Sequence, residues 1–76
     1  MAILLDFRKV REDTREVEYI FGFPETMDRR LVIAKDSHEG SPLDGNKDSR
    51  YAAVFVKILR YYRQQETWPE MGSYAA

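Results

Sequence analysis

The chain has 76 residues, 12 basic and 13 acidic side chains, one histidine and no cysteine. At that length only about 60% of the surface exposed by the unfolded chain is buried on folding, so the core is thin and a deep catalytic cleft is hard to build. The lack of cysteine excludes a disulfide framework, a thiolate zinc site and a cysteine nucleophile, and it points to a reducing, cytoplasmic setting.

Residues 2–11 alternate as a strand does, with Ile3, Leu5 and Phe7 on one side and Ala2, Leu4, Asp6, Arg8 and Val10 on the other. This start meets Asp6 at once and lacks the basic region and long apolar run of a signal peptide. No stretch approaches the roughly 20 apolar residues of a membrane span, so no membrane partner is expected. Residues 16–23 form a cleaner strand, in which Val17, Tyr19, Phe21 and Phe23 make one apolar face. Placing Leu5 and Phe7 on that same face requires an odd loop, three residues long, within the polar stretch 12–15. A five-residue connection over 24–28 then leads to a third strand, 29–35, with Leu31 and Ile33 expected opposite Phe21 and Tyr19.

Residues 36–47 are dense in glycine, proline and short polar side chains and read as a long loop. Asp48 is a good helix N-cap, and Tyr51, Val54, Phe55, Ile58, Leu59 and Tyr62 fall on one stripe of the helix that follows. That helix ends near Gln65 or Glu66, because Pro69 forbids its continuation. The expected fold is therefore α+β: a three-stranded antiparallel sheet in β-β-β-α order, with one C-terminal helix packed on one face and a short aromatic tail. Residues 1–66 form a single small domain and residues 67–76 the tail, which either docks through Trp68 or stays a free peptide. The element order is similar in outline to that of double-stranded RNA-binding domains and of MbtH-like adaptors. The motifs of both are missing: this helix starts Lys47-Asp48-Ser49-Arg50 instead of with a lysine cluster, and the adaptors' tryptophan signature is absent from the strands, so no family is assigned.

Chemistry-bearing patterns are sparse. Asp44, Asn46 and Asp48 space their oxygens like the opening of a calcium loop, yet Ser49 stands where glycine is required and Phe55 where the bidentate glutamate belongs. His38 has only Asp36 and Glu39 nearby in sequence, too few companions for a metal set or a catalytic relay. No nucleophile elbow or phosphate-cradling glycine run occurs, so no enzyme, metal or cofactor is expected.

Three surfaces remain. The helix carries Arg50, Lys57, Arg60 and Arg63 with no acidic residue between them, and Arg50, Lys57, Arg60 and Tyr61 fall on its outward side. With a formal net charge of −1, such a stripe would bind nucleic acid weakly and only at low salt. The tail carries Trp68, Met71 and Tyr74 at intervals of three. The far sheet face mixes Leu4, Ile20 and Val32 with charged residues, where pairs such as Arg8 with Glu18 would keep it wet. The leading expectation is a non-catalytic protein-protein interaction module, adaptor or regulatory, that binds a partner or a second copy through Leu4, Ile20, Val32, Trp68, Met71 and Tyr74. The alternative is nucleic-acid contact through Arg50, Lys57, Arg60, Tyr61 and Arg63.

Overall fold

The computed structural model describes residues 4–75; Ala2 and Ile3, expected in the first strand, lie outside them. In chain order the elements are β1 (Leu4–Glu12), β2 (Glu16–Phe23), β3 (Thr26–Ala34), β4 (Gly40–Pro42), α1 (Ser49–Gln65) and β5 (Met71–Ala75). They form a five-stranded antiparallel sheet in the order β4-β3-β2-β1-β5, with α1 across one face. The expected three-stranded sheet followed by a short aromatic tail is thus corrected at both edges. Part of the long loop pairs with β3 as β4, and the aromatic tail pairs with β1 as β5.

The three central strands follow their alternation. Leu5, Phe7, Val17, Tyr19, Phe21, Leu31 and Ile33 are all buried on the helix side, where they meet Tyr51, Val54 and Ile58 of α1. Removing each such side chain from water contributes about 1.5–3 kcal/mol, so these positions decide which face of every strand turns inward. Phe7 stands opposite Phe21 as the shared face requires, but a bulge between Lys9 and Arg11 shifts the register before the turn. The β2–β3 connection is tighter than expected, since Phe23 already pairs with Thr26. A bulge between Phe21 and Phe23 absorbs the difference, and Leu31 lies opposite Tyr19 and Ile33 opposite Val17. That register is two residues from the expected one, which preserves the face because strand side chains repeat every two residues.

Each edge strand is admitted by a glycine under an aromatic ring. A Cβ on Gly72 would lie 2.5 Å from Cζ of Phe7, its cross-strand partner, and a Cβ on Gly40 would lie 2.5 Å from Cε1 of Phe55. The absent side chains let the strands slide beneath rings supplied by β1 and α1.

The helix begins where its cap dictates. Asp48 accepts a 2.9 Å hydrogen bond from the Tyr51 amide, satisfying one of the first-turn donors. It ends at Glu66, which is in the left-handed conformation with its N–H on the Tyr62 carbonyl. The chain then doubles back, so that Trp68 is buried and stacks on Tyr62 at 4.2 Å between ring centroids.

Candidate functional site

Because α1 covers one face only, the opposite face of the sheet has no second layer among the described residues. Register fixes what it shows. One row across the strands reads Met71, Arg8, Ile20, Arg30; a second reads Ser73, Asp6, Gly22; a third reads Arg11, Glu18, Val32, Ser41. Leu4, beside Ala75, is 46% exposed and Met71 66%, whereas Ile20 and Val32 are half-buried between their neighbours.

Charges on this face are partly matched. Glu18 accepts from Arg11 at 3.2 Å and from Arg30 at 3.1 Å, and Arg11 also reaches Glu16 and Asp13. The amides of Glu16 and Arg15, and then the Arg11 charge, hold the Asp13 carboxyl below its usual range. The expected Arg8–Glu18 pair does not form, because Arg8 stands opposite Ile20. Arg8 has no ion pair among the described residues and lies between two apolar side chains, Met71 and Ile20.

The six residues expected to bind a partner therefore divide. Leu4, Ile20, Val32 and Met71 share the outer face, whereas Trp68 and Tyr74 belong to the helix side. Trp68 stacks on Tyr62 and meets His38 in a T-shaped contact, and Tyr74 packs opposite Leu5. The four phenylalanines, five tyrosines and single tryptophan all lie in or against the helix-side layer. None is left for the outer face, which lacks the stacking platform that single-stranded nucleic acid uses.

The basic helix also looks different in three dimensions. The Arg50 guanidinium sits 4.8 Å above the Phe23 ring and the Lys57 ammonium 5.5 Å above Tyr61. Tyr61, expected to point outward, is half-buried with its ring 6.2 Å from Phe7. Arg60 and Arg63 are exposed.

Arg29 was not legible as a structural residue. Its guanidinium lies 4.8 Å above Phe21, donates to both Asp48 oxygens at 2.9 and 3.0 Å, and reaches Asp44 and the Asn46 carbonyl. It thereby ties β3 to the helix N-terminus. The Tyr51 amide and then Arg29 hold the Asp48 carboxyl below its ordinary value. For Asp44 the order is Arg29 first and the Asn46 amide second.

A shallow hollow of about 730 Å³ opens beside β4, lined in part by Val32, His38, Glu39, Lys47 and Phe55. His38 meets the Tyr62 and Trp68 rings edge-on, and Glu16 at the rim of the hollow is paired with Arg11. Among the described residues no group of three or more metal-ligating side chains converges, and no helix is long and apolar enough to cross a membrane. Compared with known protein families, with curated proteins and with solved structures, the chain matches none of them.

Proposed function

We propose that this chain is a small, non-catalytic protein-binding module of the cytoplasm whose outer sheet face receives the partner. The observation that carries this reading is the uncovered face itself. Leu4, Met71, Ile20 and Val32 form its apolar part, and Arg8 and Arg30 flank Ile20 in one row. These apolar side chains are interleaved with charge, since Arg8 separates Met71 from Ile20, and an unmatched arginine among apolar groups suits a partner that offers acidic groups beside apolar ones. His38 spends its ring edge on packing, which supports the non-catalytic part of the reading. The tail enters as the strand that brings Met71 to this face, not as a free peptide.

The test is capture from native lysate with and without nuclease, comparing the intact chain with Ile20→Glu and with Val32→Glu. Both positions are half-buried on the outer face, so circular dichroism first checks that each variant is folded. A nuclease-resistant protein retained by the intact chain and lost by both variants supports the reading. Equal capture by all three chains overturns it. Capture that vanishes with nuclease transfers the role to Arg50, Lys57, Arg60 and Arg63 on the helix.

A further inference from the structure

We infer that the free edge of β5 binds an extended acidic segment of another protein by strand addition. This rests on the reading of the chain as a protein-binding module but uses a different surface. The Lys9 amide donates to the Glu70 carbonyl at 2.7 Å, which sets the alternation of the β1–β5 ladder. Gly72 and Tyr74 therefore turn their backbone groups toward β1, while Met71, Ser73 and Ala75 turn theirs outward. Among the described residues no strand lies beyond β5.

The two edges of the sheet differ in protection. β4 is three residues long and ends on Pro42, which blunts it. β5, with the sequence Met-Gly-Ser-Tyr-Ala, has no charge, proline or bulge to discourage pairing. Exposed apolar side chains gather at the same edge. Among the described residues, exposed Leu4 and Met71 flank β5 on the outer face and exposed Val56 flanks it on the helix side. Val56, Lys57, Arg60 and Tyr74 line a groove of about 140 Å³ between α1 and β5.

Charge selects the occupant. Lys57 and Arg60 stand over the groove, and the helix from Arg50 to Gln65 holds no acidic residue. A second copy paired through β5 would bring Lys57 and Arg60 toward their own images, an unfavourable meeting of like charges. An acidic strand meets them favourably. On the outer side Asp6, held by the Ser73 hydroxyl at 2.7 Å, discourages acids and leaves Leu4 and Met71 for apolar side chains. The segment that fits therefore alternates acidic residues over the helix side with apolar residues over the outer side.

The probe is the acetylated and amidated heptapeptide Val-Glu-Val-Glu-Val-Glu-Val, titrated into the full chain while amide shifts and hydrogen exchange are recorded. The expected result is perturbation and protection of the Met71, Ser73 and Ala75 amides. Affinity should fall roughly tenfold when lysine replaces each glutamate of the peptide, and equally for the Lys57→Glu, Arg60→Glu double variant. Silence at these three amides overturns the inference, as does an equal response to the lysine peptide. Protection that grows with protein concentration before any peptide is added assigns the edge to a second copy and also overturns it. Ile20→Glu should leave peptide binding unchanged, so failure of the edge and failure of the outer face are read separately.

Discussion

The Tyr19 hydroxyl donates a 2.6 Å hydrogen bond to the Pro69 carbonyl, joining the middle of the sheet to the segment that leads into its last strand. Tyr19 is fully buried, and no buried side-chain polar atom among the described residues lacks a partner. Tyr19→Phe keeps the ring and removes only the donor, so it should cost about 1 kcal/mol. In a domain of this size that lowers the melting temperature by about 4–8 °C. Thermal melts followed by circular dichroism check it, and an unchanged midpoint would show that the bond adds nothing.

The same phenol should govern alkaline stability. Burial, assisted by the charges of Glu12 and Glu70, pushes the Tyr19 hydroxyl well above its ordinary value, and burial also raises Tyr51. In the unfolded chain both ionise around pH 10. The unfolded state then holds fewer protons than the folded one, so stability is full below that pH and falls as pH rises through it. Melts between about pH 9 and about pH 11 should show this decline, and Tyr19→Phe should flatten it, leaving the part due to Tyr51.

Phe7 and Gly72 predict a different kind of loss. Because Cζ of Phe7 occupies the place beside a missing Cβ, Gly72→Ala should force the ring or the strand aside at about 1–3 kcal/mol. Ser73→Ala, on the exposed side of the same strand, should cost less, since its hydroxyl bond to Asp6 is solvent-exposed. Amide exchange localises the effect: Gly72→Ala should raise exchange at the β5 amides that face β1 before it affects β2. Equal behaviour of the two variants would mean that the ring adjusts freely.

This pairing also explains what the sequence hid. The central strands and the helix are legible because their instructions are local: alternating apolar residues in β2, and Asp48 three residues before the amide it caps. β4 and β5 are held by rings from elsewhere in the chain, so a reading of their own residues sees only Gly40-Ser41-Pro42 and a short aromatic tail. Spacing of three joined Trp68, Met71 and Tyr74 into one patch, yet a strand repeats every two residues and puts Met71 and Tyr74 on opposite faces. The period-two pair Gly72 and Tyr74 was the signal available. Nothing in the local sequence of Arg29 announces Asp44 and Asp48, which reach it only after β3 folds beside the helix start.

Arg29 should accordingly control the response to acid. Asp48 and Asp44 are held below the ordinary carboxylate range, so their contribution is present above about pH 4 and is lost as pH falls through their lower folded values. Glu12, lowered first by Lys35 and then by Lys9, and Asp13 act in the same sense. Arg29→Gln should lower stability at neutral pH and make the acid decline shallower without abolishing it. Denaturant titrations at neutral and acid pH measure both effects, and faster exchange of the Tyr51 amide should mark the loosened helix start.

Glu18 sets the electrical character of the outer face. Its side chain is only 12% exposed, and it is the partner of Arg30, which stands in one row with Ile20 and the unpaired Arg8. Glu18→Ala should leave Arg11 on Glu16 and Asp13 but release Arg30, turning a mixed face into a basic one. The effect on stability should be small, because the arginine ends of both pairs are open to solvent and such pairs contribute at most about 1 kcal/mol. The effect on binding should be visible: labelled single-stranded DNA should bind the variant more tightly than the parent at about 20 mM salt, with a salt slope steeper by about one. Without an aromatic platform the gain is purely electrostatic and should vanish near about 200 mM salt. If the parent already binds DNA as well as the variant, Glu18 does not restrain the face, and nothing electrostatic then separates a protein-binding sheet from a nucleic-acid-binding one.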